Sequence, residues 1–346
     1  MAATSYRGSE ASGASPVGLP LRFARKARAV CAAAAVAAIV AALTCAFSLA
    51  GCASQDGAQQ SSFHNTDIGT GWKVTGSLDL QYATQFTVDY FDDGYKLVCL
   101  GDNTRYLVIP EGGDVPANLS SDVVPLKQPI GNIYLAASDS MCLFDALDAL
   151  DTIRVSGIQR DDWHIPSARD AMDSGRIVYG GKYNTPDYDL LLRENVSFAI
   201  ESTMINHVPD VREKLEDLGM PVMSERSSYE ESPLGRTEWV KLYGVLLDKE
   251  QQADQLFAEQ VAQVKAIDNT QTGKSVAFFY ITTSGAVNVR KSGDYIAKAI
   301  RMAGGDYVSF DESGEENALS TMTIQMESFY DAAADADVLI YNSTID

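Results

Sequence analysis

The sequence predicts an α/β protein of two lobes with mainly parallel sheets joined by a long helix. Three observations predict it. From about Asn132 onward, short apolar runs alternate with segments of helical spacing, the pattern of parallel strands covered on both faces. Residues 234–267 form the longest helical stretch, in two parts that meet at Asp248. Strand-like runs resume only after it, at Ser275. A long helix between two strand-rich halves gives two lobes and a helical spine.

The elements follow in chain order. Arg22, Arg25, Lys26 and Arg28 form a basic stretch, and residues 29–50 carry no charge. Small residues then precede Cys52. A charged start, an apolar middle and a small-residue exit predict a secretory signal over residues 1–51. The segment Leu49-Ala50-Gly51-Cys52 resembles the lipobox of bacterial lipoproteins, in which the cysteine is lipidated and becomes the new first residue. An uncleaved span is the other reading, because roughly 20 apolar residues can cross a bilayer. Residues 52–73, rich in Ser, Gln, Gly, Asn and Asp, have the composition of a flexible tether.

The first lobe is expected over 74–234. It opens with alternating runs at 85–91 and 95–100 around Asp92-Asp93-Gly94, a hairpin signal. A short strand is expected at 106–110 and another from Ile133. Ser138, Asp139 and Ser140 precede a helical run at 141–150, an arrangement that suits an N-cap. Further strands are expected at 153–158, 198–200 and 221–223, with a helix at 208–218. The helical segment spans 235–268. The second lobe, 269–346, begins with a strand at 275–281 and has another at 338–341. Gly219 and Gly304-Gly305 each follow a helical run and supply left-handed turns.

Composition narrows the function. The sequence has 27 basic and 47 acidic residues. Removing 1–51 takes away five of the former and one of the latter, leaving 295 residues with 22 basic and 46 acidic side chains, a net −24. That acidity argues against nucleic acid or anionic lipid as a partner. It gives interest to any Arg or Lys beside a cleft. Beyond Cys52 only Cys99 and Cys142 remain, too few for a disulfide framework or a paired-cysteine metal site. They could pair or stay free. No G-x-S-x-G, H-E-x-x-H or P-loop pattern occurs, so an enzyme is not expected.

Four stretches carry a resemblance that begins near Ser120. They are Pro186-Asp187-Tyr188-Asp189-Leu190-Leu191 ahead of a strand, Leu215 to Val222, the helical segment, and Arg290 to Val308. In order and spacing they resemble the helical-spine substrate-binding proteins of ABC importers, the iron-siderophore/cobalamin/haem group. The resemblance implies a ligand held between the lobes, no resident cofactor, and a permease with its ATPase as partners. It implies attachment to the membrane through the lipid alone, outside the cytoplasm. Each lobe of such proteins presents an acidic side chain to a dimeric permease. By position these are Asp189, one methylene shorter than the usual glutamate, and Glu327. Relatives of this kind continue past the strand at 338–341, so the second lobe is expected to be cut short.

The cleft of this architecture is lined by loops that follow the strands. Those loops offer Ser138, Trp163, His164, Lys182, Tyr183, Arg226 and Tyr229 from the first lobe. Arg290 and Lys291 come from the second. Aromatic faces with a few placed polar groups suit an organic ligand or chelate. Core packing for the aromatics and ion pairing for the arginines are the alternatives. Arg236-Thr237-Glu238-Trp239 fits a cleft element or the cap of the spine equally well. Binding of bare zinc or manganese would need His164, His207 and Glu201 to converge. A surface lipoprotein that senses ligand or binds partners without transport stays open as well.

Overall fold

The protein is described by a computed structural model over residues 63–267, 270–310 and 321–342. The signal segment, Cys52 and the start of the tether lie outside the described residues.

Three sheets organise the chain. The first holds β1 (Gly76–Ser77), β2 (Phe86–Tyr90), β3 (Lys96–Leu100), β4 (Arg105–Ile109) and β5 (Val123–Lys127), in that order. Its pairs are antiparallel except β4–β5. The expected hairpin is β2–β3, turned by Asp93 (φ 58°) and Gly94 (φ 80°). β3 and β4 are buried along their whole length. One face takes Val98, Leu100, Tyr106 and Val108 into the main core; the other packs Leu97, Cys99, Leu107 and Ile109 under the incoming chain. Residues 63–72, tether-like in composition, therefore lie on this sheet. Ile68 is buried, Trp72 meets Phe91 and Tyr95 edge-on, and His64 Nε2 lies 2.7 Å from Asp89. A few apolar side chains among polar ones suffice when a sheet face is ready to receive them.

The second sheet is parallel throughout. It contains β6 (Ile133–Leu135), β7 (Ile153–Ser156), β8 (Val178–Tyr179), β9 (Phe198–Ser202) and β10 (Val222–Glu225), in the order β10-β9-β6-β7-β8. Alternate residues face opposite ways. Leu135, Ile153, Phe198 and Ile200 join the main core; Tyr134, Val155, Ala199 and Val222 form a second cluster. The covering helices are α1 (Met141–Ala146), α2 (Pro166–Asp173), α3 (Tyr188–Arg193) and α4 (Pro209–Asp217). The chain moves outward from β6 in one direction and returns to its other side with β9. Strand ends on either side of such a switch leave a crevice.

The helical segment is two helices, α5 (Pro233–Leu247) and α6 (Glu250–Ala266). Asp248, at φ 57°, turns the chain between them. α6 folds back along α5: Lys241 sits over the Phe257 ring and Gly244 faces Ala253. α5 is buried nearly throughout rather than on one stripe, its charged Glu238 and Lys241 included. Two of its approaches are acidic and anchor the first sheet. Glu238 accepts from the backbone N–H groups of Gln81, Tyr82 and Ala83 at 2.7–2.9 Å. Glu230 accepts from Thr84 and Gln85 N–H and from the Trp239 indole. α6 then leads to the second lobe, and Val264 near its end packs on the same core as Met302 of that lobe.

The third sheet has β11 (Ser275–Ile281), β12 (Val287–Arg290), β13 (Asp306–Tyr307), β14 (Thr321–Ile324) and β15 (Val338–Tyr341), ordered β13-β11-β12-β14 with β15 also on β11. Its helices are α7 (Tyr295–Met302) and α8 (Met326–Ala333). β13 and β15 run parallel to β11, whereas β12 is antiparallel to β11 and β14 antiparallel to β12. The parallel character expected of both lobes thus holds fully in the second sheet and partly here. The cause is local: Thr282 to Ala286, with Gly285 at φ 82°, is too short for anything but a hairpin.

Candidate ligand cleft between the lobes

The carboxyl ends of the second sheet carry most of the expected site residues. After β6, Ser138 is exposed at the start of a single 3₁₀ turn that leads into α1. No side-chain cap forms there; the Ser140 hydroxyl instead meets the Tyr243 hydroxyl of α5 at 2.6 Å. After β7, Trp163 turns inward, buried in the main core with its indole N–H donating to Ser156 Oγ at 3.2 Å. His164 beside it is exposed. After β8, Gly181 (φ 88°) bends the chain, leaving Lys182 exposed and Tyr183 half-buried.

β10 ends on a buried glutamate, Glu225, and β9 carries another, Glu201, as its penultimate residue. Glu201 is wholly buried, and neither carboxyl oxygen has a partner among the described residues. Burial pushes it up to about 8. Its charge would reach Tyr134 and Tyr188. Glu225 is pushed up to about 7 by burial, against the pull of the Ser227 N–H and, more weakly, Arg236. Asp139 adds to the rise. The adjacent-strand register pairs Glu201 with Ser224, so the two carboxyls point to opposite faces.

After β10 the contacts cross to the other lobe. Arg226 lies 4.6 Å over the Tyr229 ring, and its guanidinium reaches Gln85 Oε1 at 3.2 Å. Arg236, near the start of α5, donates to the Ser228 carbonyl at 2.7 Å and stacks 3.6 Å over Tyr295 of α7. Arg290, the last residue of β12, lies 5.8 Å from the same ring and 3.5 Å from Asp294. Asp294 also caps α7 through the Ile296 N–H. Lys298 of α7 pairs with Glu231 at 3.2 Å. Lys291, next to Arg290, is half-buried.

Arg236 and Tyr295 therefore link Arg290 to the Ser228 carbonyl, in the loop that carries Arg226 and Tyr229. Ser138, His164, Lys182 and Tyr183 share the strand-end edge of the first lobe. Sequence reasoning missed Glu225 and Tyr295 and left Arg236 undecided. A usable signal existed for Glu225: an acid closing the run Val222-Met223-Ser224, as Glu201 closes Phe198-Ala199-Ile200. Nothing in the sequence marked Tyr295, because its role depends on where α7 docks.

His164 and His207 are both exposed, and among the described residues no group of three or more His, Cys, Asp or Glu side chains could hold a metal. His164, His207 and Glu201 are not gathered. Cys99 is buried and Cys142 exposed, and both are free. Asp189 and Glu327 are exposed and occupy equivalent places, each the second residue of its helix, α3 and α8. No helix among the described residues is long and apolar enough to cross a membrane.

No family model matches the chain. Two uncharacterized lipoproteins of Methanocaldococcus jannaschii are each 24% identical to it. One match covers 77% of this chain and 69% of the relative, the other 75% and 67%. Among solved structures, the petrobactin-binding protein YclQ of Bacillus subtilis superposes with a TM-score of 0.51 at 12% identity, covering 71% of this chain and 76% of that one. The periplasmic haem-binding protein HutB of Vibrio cholerae gives 0.50 at 20% identity, covering 60% and 75%. The resemblance read from the sequence holds at the level of the fold, and the chain has the two-lobed α/β fold of periplasmic solute-binding proteins.

Proposed function

We propose that this chain is the substrate-binding lipoprotein of an ABC importer. Anchored through Cys52 outside the membrane, it captures an iron chelate (siderophore), haem or corrinoid between its lobes and delivers it to a permease with its ATPase. One observation carries the reading: the loop after β10, the start of α5 and the start of α7 meet across the lobes at the strand ends. Aromatic rings and cations are placed where an organic ligand would sit. The names of the superposed proteins, one for haem and one for petrobactin, favour the same ligand classes.

In this reading Tyr229, Tyr183 and Tyr295 supply aromatic faces. Arg226, Arg290, Lys182 and Lys291 supply donors, with Ser138 and His164 on the first-lobe rim. Trp163 braces the β7 loop from behind. Asp189 and Glu327, one per lobe, meet basic residues of the permease. An exposed ion pair contributes only about 0–1 kcal/mol, so these contacts orient the complex more than they tighten it.

Calorimetric titration of the full chain against haem, a corrinoid and a set of ferric siderophores tests the reading. We expect micromolar or tighter binding of one class, about −8 kcal/mol. Tyr229→Ala should weaken that binding tenfold or more. Binding of none of them would refute the ligand assignment.

A further inference from the structure

We infer that residues 181–192, the loop after β8 with most of α3, form a flap that closes over Glu201 while that acid holds its proton and lifts when the proton leaves. The opening stands apart from the function proposed above. Only its consequence for ligand and permease rests on that reading, because the flap carries Lys182, Tyr183 and Asp189.

The first support is that Glu201 is the exception among the buried acids. The other five, Asp89, Glu225, Glu230, Glu238 and Asp294, each accept at least one hydrogen bond. Neither oxygen of Glu201 has a partner among the described residues. A neutral carboxyl is tolerated in such a place, but an ionised one needs water or a counter-charge. Burial alone pushes this group up to about 8. Ionisation therefore favours any arrangement that lets water reach it.

The second support is what covers Glu201 and how it is fastened. Glu201 shares a sheet face with Ala199, in the cluster that α3 covers through Leu191 and Tyr188. Its charge would reach Tyr188, the first residue of α3, and Tyr134 of β6, which also feels Tyr179 of β8. On the β10 side Ser224 lies beside it and accepts from Arg212 of α4 at 3.1 Å. That guanidinium also holds the Val222 carbonyl and pairs with Glu216. His207, in the turn after β9, is exposed. Arg212 thus ties α4 to the sheet, and with Arg105 it lines a groove of about 420 Å³ between β4, β10 and α4. α3 has an ion pair to the sheet at its far end, where its C-cap Glu194 meets Arg154 of β7 at 2.8 Å. At the near end, Gly180 N–H is fixed to the Ser156 carbonyl, and the Tyr134 hydroxyl donates to the Gly181 carbonyl at 2.9 Å. Gly181, at φ 88°, is the hinge beyond that fixed point. A short helix fastened at one end, with a single hydroxyl at the other, is the kind of unit that opens locally.

The sign follows from where the proton is held. Below the ordinary 4.5 the acid is neutral with the flap open or closed, and pH has no effect. Between 4.5 and about 8 only the open form releases the proton, so opening grows about tenfold per pH unit. Above that range both forms are ionised and the growth stops. Hydrogen–deuterium exchange of the full chain, in steps from about pH 5 to about pH 9 and scaled for the chemical exchange rate, reads the opening of each segment. We expect this growth in 181–192 while β6 and β9 stay protected. Glu201→Gln should remove it. Tyr134→Phe, which frees the Gly181 carbonyl, should raise opening threefold or more at every pH without changing its slope. Circular dichroism melts confirm that the variants are folded, and the parent's slope with the Tyr134→Phe shift decides the matter should Glu201→Gln not fold. A flat pH profile in the parent, the same slope in Glu201→Gln, no effect of Tyr134→Phe, or opening shared equally with β6 and β9 overturns the flap. The ligand titrations are separate, so either result leaves the cleft reading to its own test.

Discussion

Glu201, the penultimate residue of β9, has a carboxyl that is fully buried and has no hydrogen-bond partner among the described residues. An isolated carboxylate is costly to bury, so the group keeps its proton instead. Its pKa rises from the ordinary 4.5 to about 8. The sign of the linkage follows. Below about 4.5 the acid is protonated folded and unfolded alike, and it has no effect. As pH rises toward 8 only the unfolded chain releases the proton, so stability falls. Glu201→Gln removes that dependence. Urea melts at several pH values should show the variant gaining on the parent by about 1.4 kcal/mol per pH unit across this window, and levelling off above it. A constant difference would mean the carboxyl is solvated. Trp163 teaches a different lesson at the same scale. Its position after a strand marked it for the cleft, but the direction a side chain turns is set by packing, and this one fills the core behind Ser156.

The helical hairpin and the first sheet depend on each other. Glu238 is fully buried and gathers three backbone N–H groups of residues 81–83 together with Lys241 at 3.1 Å. Glu238→Ala strands those donors and that cation, and should cost about 3 kcal/mol in denaturant unfolding. At Gly244 the two helices approach closely: a Cβ there would meet that of Ala253 at 2.6 Å. Alanine favours a helix over glycine by about 1 kcal/mol, but overpacking costs about 1–3. Gly244→Ala should therefore lower the melting temperature by several degrees, and a rise would contradict the hairpin.

Legibility at this scale followed length and pattern. β11 and β15, apolar runs bounded by polar residues, occupy the expected positions. β8 and β13, two residues each, leave no periodicity to read. β5 contains Pro125, which argues against a strand except at a sheet edge, and the edge is where it lies. β12 lay outside the stretches read from the sequence except for Arg290, the first residue of the loop that the resemblance implied. The helix expected at 141–150 stops at Ala146 because the chain turns left-handed at Asp148 (φ 49°).

For the whole molecule, the two lobes, the parallel second sheet and the intervening helices were legible, because alternation and helix length are local properties. The proposed cleft was legible as a set of loops. The Arg236–Tyr295 contact that organises it was not, since it joins residues 59 apart whose meeting depends on how α7 docks. Delivery makes a separate prediction. Asp189→Arg with Glu327→Arg should abolish stimulation of the cognate permease's ATPase and leave ligand affinity within twofold. Loss of affinity in that variant would place these residues in the binding site. The most direct test of the account is hydrogen–deuterium exchange of the full chain with and without a saturating ligand from the titrations. We predict slowed exchange confined to residues 138–140, 226–236 and 290–296, the segments that line the proposed cleft. Slowed exchange in the groove beside Arg105 and Arg212, with no change in those segments, would contradict it.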